Sequence, residues 1–274
     1  MIKLAVFGAP VSQSRSPAIH AMFADQFSLD VDYRAIEATE ATFVALVRQL
    51  ANSGGLGCNI TAPFKSQAWR LARRCSPSAR RAEVANTLRF DSDNDWFADN
   101  TDGRGLLRDL TDRLEFNSEN ARIAIIGAGG ATAGILGDLL DQHPADVVVA
   151  NRTIERALSL VDTFGEPLSA IALADLADAD PFDLLINATS LGHSGKHPGL
   201  PSSLFHTDTL VYDLNYGPAS QPLSAFCRDA GVRFSDGLGM LVEQAALSFE
   251  IWTGQEPSTG PVLKALRKDL PATI

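Results

Sequence analysis

The chain has 274 residues, 45% of them hydrophobic and 20% charged, with a formal net charge of −10. Such a length and composition suit a globular protein of one large domain or two modest ones, each with its own core. The acidic balance argues against a general nucleic-acid or acidic-membrane binder, which needs a basic face, so an anionic small molecule would have to be met by local cations.

The opening MIKLAVFGAP carries too few apolar residues before Gly8 and Pro10 for a signal-peptide core or a bilayer span, and a cytoplasmic location is expected. KLAVFGAP reads as a buried strand. SPAIHAMFADQFS, residues 16–28, reads as a helix with Ser16 as N-cap and Pro17 at the first helical position. A strand follows at VDYRAIEA, a helix at ATFVALVRQL and a further apolar run at LGCNIT. Beyond residue 120 the pattern restarts. ARIAIIGAGG, Ala121 to Gly130, is a near-continuous buried strand running into glycines, ATAGILGDLL supplies a helix and DVVVANRT another strand. DLLINATSLG and TLVYDLNYG are strand-to-turn units ending in polar residues, and GLGMLVEQAALSFEIW is a late helix. Short apolar runs alternating with helical stretches predict an α/β fold built of βαβ units around mostly parallel sheet. The division between the halves is best sought near Asp102 to Gly105 and near Asp236 to Gly239.

Cys58, Cys75 and Cys227 are scattered and lack a C-x-x-C pair, which fits reduced thiols. The five histidines show no H-E-x-x-H or paired spacing, so no metal is expected.

IAIIGAGGATAG places Gly127, Gly129 and Gly130 between a strand and a helix. Backbone at that point can approach a pyrophosphate closely, and the helix N-terminus offers free N–H groups. Thr132 stands where the third glycine of the dinucleotide fingerprint would be, so context rather than the bare motif carries the reading: a strand before, a helix after and a second strand some 20 residues on. That second strand ends in Asn151, Arg152, Thr153 and then Arg156, with no acidic residue for a ribose 2′-hydroxyl. Arg152 and Arg156, four apart on one helix face, suit a 2′-phosphate, so NADP is favoured over NAD.

Three polar clusters in the first half need a joint explanation. They are Ser12, Ser14 and Ser16 in VSQSRSP, then Asn59, Thr61 and Lys65 in GCNITAPFK, then Asn86 in VANT with Asn100, Thr101 and Asp102 in ADNTDG. Singly, each is readable as a turn. Together they have the composition a polyol acid requires: hydroxyls for a carboxylate, amides for ring hydroxyls, and a Lys with an Asp for a proton. Reduction of a ketone by hydride leaves oxygen charge that a nearby cation or general acid must meet, and Lys65 oriented by Asp102 is the candidate. Gln244, on a helix face with Met240, Leu247 and Ile251, is a lone amide on an apolar stripe and needs a partner of its own.

In GAPVSQSRSPAIH, GCNITAPFK, ANTL, DNTDGRGL, GAGGATAG, NRTIER, NATSLG and DGLGMLVEQA, taken in order over essentially its whole length, the chain resembles the shikimate dehydrogenase family. The resemblance implies two α/β domains with the active cleft between them: a substrate-binding domain of residues 1–102 plus 239–274, and a Rossmann-type NADP-binding domain of residues 103–238. It implies reversible NADPH-dependent reduction of 3-dehydroshikimate to shikimate, a step of aromatic amino-acid biosynthesis. Ser14, Ser16 and Thr61, assisted by Tyr216, would hold the substrate carboxylate; Asn59, Asn86, Asp102 and Gln244 would bind ring hydroxyls; Lys65 would be the catalytic acid/base paired with Asp102. The cofactor would be held by Gly127, Ala128, Gly129, Gly130, Ala131, Asn151, Arg152, Thr153 and Arg156, with Asn187, Thr189 and Ser190 facing it and Gly237 and Met240 near the nicotinamide. A monomer or homodimer without nucleic-acid or membrane partners is expected. Glu83, Gln13 and Ala133 depart from residues frequent in the family. A quinate/shikimate dehydrogenase using NAD, or a non-catalytic NADP-binding relative, is the alternative.

Overall fold

A computed structural model of the chain describes residues 1–91 and 95–269. The first half builds a six-stranded sheet from β1 (Ile2–Gly8), β2 (Val31–Glu37), β3 (Gly55–Ile60), β4 (Arg74–Cys75), β5 (Thr87–Arg89) and β6 (Phe97–Asp99), in the order β2-β1-β3-β5-β6-β4. Strands β1, β2 and β3 run parallel, whereas β5 is antiparallel to both β3 and β6. Helices α1 (Ser16–Gln26), α2 (Phe43–Asn52), α3 (Lys65–Leu71) and α4 (Pro77–Ala82) connect them.

The α1 boundary differs from the sequence expectation. Ser16 is the first helical residue, the N-cap is Arg15 without a side-chain bond, and Ser14 Oγ accepts from the Ser16 N–H instead. The helix also stops at Gln26, because Ser28 takes a left-handed conformation at φ 52°. Glu83, a departure from the family pattern, is the left-handed cap residue after α4 at φ 51°. A glycine would adopt that conformation without the Cβ penalty that Glu83 carries.

Helix α5 (Asp102–Arg108), continued by a π-helical turn at Asp109–Arg113, leads into the second sheet. That sheet is wholly parallel, with β7 (Arg122–Ile126), β8 (Asp146–Asn151), β9 (Leu168–Ala172), β10 (Leu184–Asn187), β11 (Leu210–Asp213) and β12 (Arg233–Asp236) in the order β12-β11-β10-β7-β8-β9. Read from β9, this is the 3-2-1-4-5-6 order of the Rossmann fold, whose strand order reverses beside β7, the place where such sheets take ligands. Near-continuous apolar strands such as RIAII are what a sheet covered on both faces requires. One face packs under α6 (Gly130–Leu140) and α7 (Ile154–Phe164), the other under the cluster of Phe182, Leu200 and Leu204 with α8 (Gln221–Ala230).

The chain then returns. Helix α9 (Leu238–Thr253) and α10 (Thr259–Lys268) pack with α1 around Ile19, Phe23, Val242 and Phe249, so the last helices cover the first sheet. Helix α9 also lies against α5, and the close approach has a local cause: a Cβ on Gly105 would stand 2.7 Å from both the Cβ and the backbone N of Gln244. No described helix is long and apolar enough to cross a membrane.

Candidate active site

Register brings the polar clusters of the first half to one edge of the first sheet. Asn59 pairs with Thr87, and Thr87 pairs with Asp99, so the end of β3, the start of β5 and the end of β6 lie side by side. Asn86 precedes that β5 residue, and Asn100, Thr101 and Asp102 follow that β6 residue. Thr61 and Lys65 continue from β3, with Lys65 as the first residue of α3.

The Lys65 ammonium bonds Asp102 Oδ2, and both side chains are largely withdrawn from solvent. Asp102 Oδ1 accepts from Asn86 Nδ2 at 2.9 Å, which fixes the carboxylate plane. The same amide nitrogen reaches Gln244 Oε1 at 3.1 Å, while Thr101 Oγ1 donates to the Gln244 carbonyl at 3.0 Å. Lys65, Asn86, Asp102 and Gln244 are thus one bonded cluster, joined across 158 residues of sequence. Asn59 belongs to the same cluster, and its side chain, like that of Asn86, is bonded to protein groups: Oδ1 accepts from Tyr33, and Nδ2 faces the Asn86 carbonyl, Thr87 and Ser248. Of the expected carboxylate group, Ser16 is buried and Ser14 and Thr61 half-buried, and burial raises the phenol of Tyr216, whose partner is the Arg15 backbone. Asn100 turns away, donating to the Gly134 carbonyl of α6 at 2.6 Å and so tying the two sheets' elements together. Ser12 and Gln13 are exposed on the loop after β1.

At the C-terminal edge of the second sheet, Gly127 turns with φ 110°, a conformation open to glycine. Thr132, at the third position of the fingerprint, is fully buried and donates to the Gly127 carbonyl at 2.6 Å, so its hydroxyl braces the turn from behind. Asn151 Oδ1 accepts from the Ala128 N–H and its Nδ2 donates to the Thr153 carbonyl, which makes it a brace between the two loops. Ala133 is packed inside α6.

The residues present fit a dinucleotide. A Cβ on Gly129 or Gly130 would meet nothing within 4 Å, so the space before the loop is open, and α6 starts without a side-chain cap on its free N–H groups. Arg152 and Arg156 are exposed beyond β8 and make no ion pair among the described residues. Thr189 is held by Asn187, whose Oδ1 accepts from both its N–H and its hydroxyl; Ser190 is exposed beside it. Gly237 caps α9 and is buried, and Met240 joins the core of the second sheet.

Beneath these loops Asp213 is fully buried. Its Oδ1 accepts from Asn187 Nδ2 at 2.9 Å and from both the N–H and Nδ2 of Asn215, whereas Oδ2 has no partner among the described residues. Burial pushes its carboxyl up to about 6, against three hydrogen-bond donors that oppose the shift. A folded-state value above the ordinary 3.8 means that folding takes up a proton in that window, so stability rises as pH falls from above 6 towards 4. Asp213→Asn keeps an acceptor for the three donors and removes the charge. Between pH 5 and pH 8 its unfolding free energy is expected to gain about 1.4 kcal/mol relative to the parent chain, read from urea titrations at each pH. Equal pH dependence in the two proteins would refute the buried-charge account.

Among known proteins, residues 6–88 match the shikimate dehydrogenase substrate binding domain, residues 109–194 the shikimate/quinate 5-dehydrogenase family and residues 237–267 the shikimate 5'-dehydrogenase C-terminal domain. A protein of Marinobacter nauticus named shikimate dehydrogenase (NADP(+)) is 45% identical over 269 residues, covering 97% of this chain and 98% of its own. The chain belongs to the shikimate dehydrogenase family. A Dechloromonas aromatica protein of the same name is 44% identical with 97% and 98% covered. Among solved structures, an Ael1 enzyme from Pseudomonas putida superposes with a TM-score of 0.88 at 39% identity, covering 97% of this chain and 98% of that one. The shikimate 5-dehydrogenase of Thermus thermophilus in complex with NADP(H) and shikimate superposes with a TM-score of 0.84 at 30% identity, covering 98% and 100%. Family membership fits the α/β architecture and the two polar edges. Tyr33, Thr87 and Ser248 carry no chemical motif of their own in the sequence; the one signal is at Ser248, four residues after Gln244 on the same helix face.

Proposed function

We propose that the chain is an NADP-dependent shikimate dehydrogenase, which reduces 3-dehydroshikimate to shikimate reversibly. The observation that carries the reading is the bonded pair of Lys65 and Asp102, placed beside two amides, Asn86 and Gln244, that a polyol ring can engage. Ser14, Ser16 and Thr61 receive the substrate carboxylate, with Tyr216 beside them. Asn86, Asp102 and Gln244 take ring hydroxyls, and Asn59 holds this group in place. NADPH, when bound, supplies a hydride to the ring carbonyl carbon. Lys65 Nζ gives a proton to the carbonyl oxygen as charge develops there, and takes it back from the hydroxyl in the reverse direction. Asp102 Oδ2 holds that ammonium, and Asn86 prevents the carboxylate from turning.

On this reading residues 1–102 with 239–274 form the substrate-binding unit and residues 103–238 the NADP-binding unit. The glycine loop from Gly127 to Ala131 cradles the pyrophosphate, Arg152 and Arg156 take the 2′-phosphate, and Thr153, Thr189, Ser190, Gly237 and Met240 line the rest of the cofactor's path. The chain works in the cytoplasm on a free small molecule, without nucleic acid, as a monomer or homodimer.

Initial rates with shikimate and with quinate, each with NADP and with NAD, test the assignment. Turnover confined to shikimate with NADP upholds it. Quinate oxidation or NAD preference would move the chain to a quinate/shikimate dehydrogenase, and NADP binding without turnover would leave a non-catalytic relative. Within the same assay Arg152→Ala combined with Arg156→Ala is expected to raise the KM for NADP about 100-fold or more and leave the NAD rate unchanged, since each of the two charge-assisted bonds is worth roughly 1.5–3 kcal/mol. Equal effects on both cofactors would remove the 2′-phosphate role.

A further inference from the structure

The buried polar groups behind the substrate-binding amides form a chain with one consistent direction of donation. Thr101 N–H can only donate, and it donates to Asn86 Oδ1 at 3.0 Å, so Asn86 Nδ2 must face Asp102 and Gln244. Thr87 Oγ1 also lies 2.9 Å from Asn86 Oδ1 and therefore gives its proton there. Its lone pairs are then left for Asn59 Nδ2 at 3.1 Å and Ser248 Oγ at 2.7 Å. Ser248 is also 3.0 Å from the Gln244 carbonyl one turn earlier on α9, and Asn59 Nδ2 is 3.0 Å from Ser248 Oγ. Asn59 can present its nitrogen to these hydroxyls only while its Oδ1 has a donor, and that donor is Tyr33 at 2.7 Å.

Tyr33 is built to donate permanently. Burial holds its phenol well above the usual range, so it stays protonated. Its ring stacks on His20 at 4.3 Å and 9°, and burial pushes that imidazole down to about 3, so the stacked ring is neutral at working pH. Donation thus begins on β2 at Tyr33, passes through Asn59 on β3 and Thr87 on β5 to Asn86, and reaches α9 where Asn86 Nδ2 meets Gln244 Oε1, while Ser248 feeds the Thr87 lone pairs from α9.

We propose that Tyr33 and Ser248 are positioning residues for the Asn86–Gln244 amide pair, acting through Asn59 and Thr87 to hold the pair in place towards the substrate. This rests on the dehydrogenase reading above. Without the Tyr33 hydroxyl, Asn59 Oδ1 is left buried without its donor or the amide turns over. A turned amide would set its oxygen against the Asn86 carbonyl and draw the Thr87 proton away from Asn86 Oδ1. Such polar networks act as units, so losing one member loosens the others.

Tyr33→Phe and Ser248→Ala, each removing one oxygen, test this beside the parent chain. Each is expected to raise the KM for shikimate about 5–10-fold, the scale of one buried hydrogen bond, with the KM for NADP unchanged. A purely structural loss lowers the active fraction and leaves both KM values where they were. Because the two residues serve one chain, the double variant is expected to lose less than the product of the single effects. Should Tyr33→Phe fail to fold, the smaller Ser248→Ala change decides. An unchanged shikimate KM in folded variants, or shikimate and NADP KM values rising together, overturns the proposal while parent turnover keeps the dehydrogenase reading. A parent chain inactive on shikimate overturns both.

Discussion

Replacing Lys65 by alanine is expected to lower kcat for shikimate oxidation by roughly 10²–10⁴-fold, the ordinary contribution of a positioned general acid or base. The fold should survive. Asp102 keeps its bond from Asn86 Nδ2, so the carboxylate is not abandoned without a partner. Lys65→Arg should not restore the rate, because a guanidinium stays protonated throughout the working range and cannot exchange the proton. Asp102→Asn is expected to fall in the same range, since an amide can neither hold the ammonium electrostatically nor keep its orientation. Steady-state rates, with circular dichroism to verify folding, decide the matter. Wild-type turnover in Lys65→Ala would move the proton chemistry to another group, whereas a raised KM at constant kcat would make Lys65 a binding residue.

Why is Lys65 legible at all? Its sequence context supplies no acidic neighbour, and its partner lies 37 residues away. The type of chemistry, a ketone reduction needing a proton donor, links the two without knowledge of any contact. Periodicity similarly reveals the βαβ pattern and most strands, because hydrophobic runs bounded by Gly, Asn and Thr are local signals. The short elements β4 to β6 and α3 to α4 carry no such signal, since two- or three-residue strands are held by register rather than by pattern. Yet it is their register, Asn59 against Thr87 against Asp99, that assembles the polar edge. The start of α1 lies one residue from where the Ser-Pro pair suggests, because that pair fits either side of a helix start and the deciding bond comes from Ser14. Residues such as Asn151 and Thr132 stand out in sequence, but not the way they brace the loop from within, because orientation of a side chain is a tertiary outcome.

The second large effect is expected at Asp109, which carries no sequence signal. In the π-helical turn after α5 it is almost fully buried, and it accepts from Arg113 Nε at 2.6 Å, Arg113 Nη2 at 2.8 Å and the hydroxyl of Tyr212 at 2.7 Å. Tyr212 is itself fully buried on β11, and both its burial and the adjacent carboxylate hold the phenol well above its usual range, so it remains a donor. Asp109→Ala leaves that hydroxyl without its acceptor and the half-buried Arg113 guanidinium with Ser235 Oγ alone. Leaving a buried donor without its acceptor costs about 1–3 kcal/mol and the lost charged partner of Arg113 adds to it, so unfolding free energy is expected to fall by about 3 kcal/mol in urea titrations followed by tryptophan fluorescence. The carboxylate also explains the residue facing it. A Cβ on Gly239, in the first turn of α9, would stand 1.8 Å from Asp109 Oδ1, so Gly239→Ala must displace either the carboxylate or the helix that carries Met240 and Gln244. In an Asp109→Ala background the obstructing oxygen is gone. The two substitutions should therefore be non-additive, the double variant being more stable than the sum of the single losses predicts by about 1 kcal/mol or more. Strict additivity would mean that the Gly239–Asp109 contact does not set the approach of α9 to α5, leaving the Gly105–Gln244 contact and the apolar face of the helix to fix it.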